Sequence, residues 1–172
     1  MQRDAAAVGK LKAYLRDSAL SKDEMEEHFK ELTSKNDRLV AILGAAAVEG
    51  ALQGVLKEKM PRLSKTLERS VFDFQGPLGT LSAKADVAAA LGLISPACHR
   101  NVDYIREIRN AFSHTLKPIR FQKDPIKSVC ALLEYSDQVP KYFRHLDRKG
   151  YRRRFFIAVI DTGRAIWGHH KL

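Results

Sequence analysis

Residues 36–56 read NDRLVAILGAAAVEGALQGVL, and the arrangement of apolar residues in this stretch sets the fold class. Asn36 and Asp37 are suited to opening a helix, because a short polar side chain at that point accepts hydrogen bonds from the first free amides. From there Leu39, Val40, Ile42, Leu43, Ala45, Ala46, Ala47, Val48, Ala51, Leu52, Val55 and Leu56 leave little polar surface. Pro61 closes the helix. An apolar surface that wide, built largely from alanine, predicts a central helix with neighbours packed closely against it. Glu49 interrupts it. The residue either reaches solvent at an edge or pairs with an arginine, Arg106 or Arg109, since an isolated buried carboxylate is too costly.

The flanking sequence continues in helices. Val8, Leu11, Tyr14 and Leu15 mark one over about Ala5–Asp17, and Ser21–Glu24 has the spacing of a capping box that starts a charged helix to about Leu32. Downstream, Gln75-Gly76-Pro77-Leu78-Gly79 signals a turn. Leu81, Ala85, Ala88, Ala89 and Leu91 mark a helix ending near Gly92, and Ser95-Pro96 starts the next with a cap and a first-turn proline, running to about His114. Ile126–Val139 and Tyr151–Trp167 supply the last two. Arg154–Ile160 is ambiguous, since aromatic and β-branched residues suit strands as well. No stretch alternates as a half-buried strand would. The expectation is an all-α helical bundle, one domain over 1–172 with a basic C-terminal extension at 140–172.

The formal charge is +10 and the pI about 9.8, which favours acidic partners. Residues 140–172 hold nine Lys/Arg against Asp147 and Asp161, so most of the excess lies there. Cys98 and Cys130 are too few for a disulfide framework or a metal knuckle and read as reduced, buried small hydrophobes. The N-terminus lacks the apolar stretch of a secretory signal, and no run reaches the roughly 18 apolar residues of a membrane span. A cytoplasmic protein without membrane contact is expected.

Chemistry concentrates in IREIRNAFSH, residues 105–114. Val102, Ile105, Ile108 and Phe112 form an apolar stripe; Arg106, Asn110 and His114 stack on a second face, with Arg109 between. That face is either solvated surface or a site. As a site, His114 would transfer a proton near neutrality, Arg109 would stabilise charge on a phosphorane, and Asn110 would position the phosphate or the imidazole. The set needs neither metal nor cofactor. Arg109 and His114 diverge by about 140° around one helix, so convergence requires a helix that loosens at its end or a second copy across a two-fold axis. The chemistry therefore predicts a homodimer.

Arg109-Asn110-Ala111-Phe112-Ser113-His114 resembles the R-N-x-x-x-H pattern of the HEPN superfamily of small helical bundles. That resemblance implies a metal-independent endoribonuclease with Arg109, Asn110 and His114 as its catalytic residues. A longer one runs through Phe74-Gln75-Gly76-Pro77-Leu78-Gly79-Thr80-Leu81-Ser82-Ala83-Lys84 and Ala90-Leu91-Gly92-Leu93-Ile94-Ser95, which is similar to the core of the mannitol operon repressor family. It covers about residues 20–135 and implies a transcriptional regulator. No helix-turn-helix with a clear recognition helix accompanies it. Two functions follow as expectations: RNA cleavage or RNA-binding regulation, and a non-catalytic regulator acting through a protein partner. An antitoxin would be such a partner for a nuclease.

Lys149, Arg152, Arg153 and Arg154, with Arg106, are the expected contacts to single-stranded RNA. Phe155 and Phe156 read as core anchors. His169-His170 is a weak metal signal at a tail, and His28 and His145 are surface positions by default. Gly76 and Gly79 build a tight turn, since no Gly-Lys-Ser/Thr follows them and no strand precedes them.

Overall fold

The computed structural model describes residues 35–135 and 150–168, together with the isolated helical positions Glu24, Glu27 and Glu31. The chain divides into two compact units, Met1–Lys30 and Glu31–Leu172. The expected helix over 5–17, most of that over 21–32, Lys149 with the preceding part of the basic extension, His28, His145 and the terminal histidines lie outside the described residues.

The larger unit is helical, with no strand among the described residues. Helix α1, Asp37–Glu58, starts where expected, the Asn36 side chain accepting from the amides of Arg38 and Leu39. Helix α2, Lys65–Phe72, is capped by Ser64. It was not anticipated, because an eight-residue helix with no buried residue carries little periodic signal. Its link to α1 is local: Lys57 meets Glu68 at 2.5 Å and lies over the Phe72 ring.

A tight turn follows. Leu78, 5% exposed, is drawn into the core while its amide donates to the Val71 carbonyl. A Cβ on Gly76 would lie 2.4 Å from the Ser70 carbonyl oxygen, and one on Gly79 2.3 Å from that of Asp73. These contacts are with backbone, which cannot swing aside. Gly76→Ala is therefore expected to lower stability by about 1–3 kcal/mol, read as a lower urea midpoint.

Helix α3, Leu81–Ala90, is capped by Thr80. It ends in a Schellman motif: Gly92 adopts φ +69°, its amide donates to Ala89 and that of Leu93 to Ala88. Helix α4, Pro96–His114, has Ser95 as its cap and proline in its first turn.

Helix α5, Ile126–Leu132, stops well before Val139, the expected end. The reason is tertiary. The buried Asn101 side chain on α4 accepts from the Glu134 amide at 3.0 Å and donates to the Glu134 carbonyl at 2.6 Å. Both backbone groups are thus taken from any continuing helix, and Leu133 is extended.

Helix α6, Tyr151–Gly168, includes the ambiguous Arg154–Ile160 piece. Its strand-type residues are helical because packing outweighs intrinsic preference: Phe155 through Val159 are all buried. Helix α1 is the centre, packed against α3, α4 and α6, while α4 also touches α5. Gly44 lets the Phe155 ring lie on the α1 backbone, and Gly54 does the same for Trp167. By length and composition α1 is apolar enough to cross a membrane, yet half of its most apolar window is buried inside the bundle.

Candidate functional site

The buried stripe of α4 is as its spacing predicts, with Val102, Ile105, Ile108 and Phe112 each at most 1% exposed. This stripe rotates the polar residues outward. Phe112 stacks on Phe121 at 4.9 Å between centroids, and Phe121 on Phe155 at 5.1 Å, which joins the end of α4 to the start of α6.

The end of α4 is held by further bonds. At Thr115 the backbone turns extended, and its carbonyl accepts from Arg38 Nη2 at 2.9 Å. The Lys117 amide donates to Thr115 Oγ1. The Phe121 amide donates to Asp37 Oδ2 at 3.2 Å, and Arg152 Nε lies 3.7 Å from Asp37 Oδ1. The N-termini of α1 and α6 and the C-terminus of α4 thus meet at one end of the bundle.

Arg109 and Asn110 are half-buried and His114 is exposed; among the described residues none of the three side chains makes a hydrogen bond or an ion pair. Since α4 is helical through His114, it does not loosen between Arg109 and His114, and one chain leaves the two side chains diverging.

Arg106 stands apart from this trio. Its Nη2 meets Glu107 at 2.8 Å and Asp103 at 3.6 Å, so acids of its own helix offset its charge. Within the expected RNA-binding cluster, Arg152 is shared with Asp37. Arg154 donates to the Leu133 carbonyl at 2.9 Å and lies over the Tyr135 ring at 5.2 Å. It fastens the end of α5 to α6. Arg153 is half-buried, and its Nε has no partner among the described residues. Phe155 and Phe156 are core residues, as expected.

Glu49 pairs with neither arginine. Its partner is Lys84 of α3, at 2.6 Å, and the Lys84 side chain is 3% exposed against 30% for Glu49. A signal for this existed, because Lys84 falls on the Leu81, Ala85, Ala88 stripe. His99 was also missed. Its Nε2 is 2.9 Å from Asp86 on α3 and its Nδ1 3.7 Å from Asp103, the latter an i,i+4 spacing visible in the sequence. Cys98 and Cys130 are free and buried. Burial pushes the Cys98 thiol up to about 11 and that of Cys130 up to about 12, with Arg154 opposing the second shift. Neither thiol is poised for nucleophilic work. Among the described residues no three His, Cys, Asp or Glu side chains are grouped as metal ligands.

The sequence matches no protein-family model and no curated protein. The fold is similar to that of a chain in the X-ray structure of the MtlR-HPr complex from Escherichia coli, with a TM-score of 0.57 and 18% identity over 84% of this chain and 96% of that one. The likeness supports the mannitol-repressor resemblance at the level of fold and does not bear on the R-N-x-x-x-H motif. The chain is an all-α protein with a mannitol-repressor-like fold.

Proposed function

We propose that the protein is a regulator that works by binding another protein. The carrying observation is the likeness, over 84% of the chain, to a fold solved in complex with a protein. The basic residues support the same reading: Arg152 and Arg154 fasten separate elements to one another and Arg106 is paired with acids of its own helix, so three of the five expected RNA contacts are engaged within the fold. Fold alone does not specify activity, and binding therefore has to be measured directly.

One observation favours a second reading, in which Arg109, Asn110 and His114 cleave RNA without a metal. All three lie toward the end of α4 with no partner among the described residues. In that reaction a ribose 2′-oxygen bonds to the adjacent phosphorus as the bond to the 5′-oxygen breaks. The 2′-hydroxyl proton leaves, and the departing 5′-oxygen takes one up. His114 moves the proton, Arg109 stabilises the phosphorane, and the partner copy in a dimer supplies the missing half of the pair.

One experiment separates the two. The full chain is titrated calorimetrically with Escherichia coli HPr and, in parallel, incubated with labelled mixed-sequence RNA in EDTA. Saturable HPr binding with intact RNA is the expected result. Cyclic phosphate ends that vanish in both Arg109→Ala and His114→Ala, without HPr binding, would overturn it in favour of the nuclease.

A further inference from the structure

We infer that the end of the bundle around residues 114–123 docks an acidic protein surface, with Leu116 as the apolar centre of the contact; this rests on the protein-binding reading and gives its partner a chemistry. Leu116 is fully exposed, at 102%. A single exposed leucine is ordinary, but this one is presented on a pinned segment. Thr115 before it is bonded to Arg38 and to the Lys117 amide, and Phe121 after it to Asp37. The ordering that a loose loop would undergo on binding is already in place, which favours association.

The surroundings are cationic. From Ile108 to Lys123 there are four Lys/Arg and no acidic residue, and Lys117, Arg120 and Lys123 are exposed. Of the adjoining carboxylates, Asp37 is paired with Arg152 and accepts from the Phe121 amide, while Asp124, exposed and accepting from the Ser128 hydroxyl, offsets one of the four cations and leaves the rim positive. An apolar point inside a basic rim is complemented by an apolar notch inside a rim of carboxylates.

A second copy of this surface fits poorly, since like charges would face one another. Single-stranded RNA fits less well than protein. It binds by stacking bases on aromatic faces, and Phe112, Phe121 and Phe155 at this end are wholly buried against one another. Phosphates alone would leave Leu116 uncovered.

The test uses the full chain and three labelled probes of equal charge: a short peptide alternating Glu and Leu, poly-Glu, and single-stranded RNA. The alternating peptide is expected to bind tightest and to weaken with salt. Leu116→Ser and Arg120→Glu should each reduce its affinity about tenfold. Arg62→Glu, beyond the far end of α1 and so about 30 Å away, should not change it. Melting temperatures equal to wild type show that the variants fold. Tighter binding of RNA than of the peptide, or variants that bind the peptide unchanged, would overturn the inference. HPr binding with no peptide binding overturns this surface alone; peptide binding lost in the variants, without HPr binding, supports the surface and counts only against HPr as the partner.

Discussion

Glu49→Ala is expected to destabilise the fold by roughly 3 kcal/mol, the lower end for one partner removed from a buried ion pair. Lys84 is the reason. Its ammonium is nearly out of water and 2.6 Å from Glu49 Oε1, the only hydrogen bond it makes among the described residues. Without the carboxylate the charge is left in the α1 and α3 packing and must neutralise or force a path to solvent. Glu49 itself is part-exposed, so some water reaches the gap and the cost stays at the low end. Lys84→Met keeps the stem and removes the charge, and replacing a buried ion with an apolar group of similar volume is often close to neutral. Combining the two should therefore recover most of the loss from Glu49→Ala. Urea unfolding of the two single variants and the double variant measures the coupling. Effects that simply add would reject the pair as a buried unit.

The second large effect is expected at Asn101. Replacing it with leucine removes the acceptor of the Glu134 amide and the donor to the Glu134 carbonyl, and a weaker bond to Thr162 Oγ1 at 3.3 Å on α6. Buried groups left without partners cost about 1–3 kcal/mol each. Part of segment 133–135 can recover water, so a total of about 2–4 kcal/mol is expected. The loss should be local first. Hydrogen exchange should show the Glu134 amide losing protection ahead of the amides of α1. If Glu134 and α1 exchange together, Asn101 is not an independent clamp.

These sites also show why parts of the molecule were legible and others were not. The starts of α1 and α4 were readable because Asn36 and Ser95 cap amides two or three residues away, and such bonds are written in consecutive letters. The end of α3 was readable at Gly92 for the same reason. The end of α5 was not. It is decided by Asn101, 33 residues earlier, and nothing in the local pattern of Ile126–Val139 records that competition.

The candidate site divides in the same way. Helical periodicity placed Arg109, Asn110 and His114 beside the stripe of Val102, Ile105, Ile108 and Phe112. The use made of the arginines could not be inferred from it. Arg106 is neutralised by neighbours on its own helix, whereas Arg152 and Arg154 reach across to Asp37 and Leu133. A run of basic residues reads as a polyanion surface until the packing shows which members hold elements together.

Helix identity, most helix boundaries and the all-α class were thus set by short-range chemistry: caps, prolines, glycines with positive φ, and a 3.6-residue apolar period. The partner of Glu49, the shortened α5, the attachment of the Arg154 side chain to Leu133 and Tyr135, and the bonds from Arg38 and Asp37 that hold the segment around Leu116 depend on residues well separated in sequence. Those contacts form only when the helices pack, because each is a competition between a side chain and water whose outcome is decided by the neighbour that tertiary structure supplies.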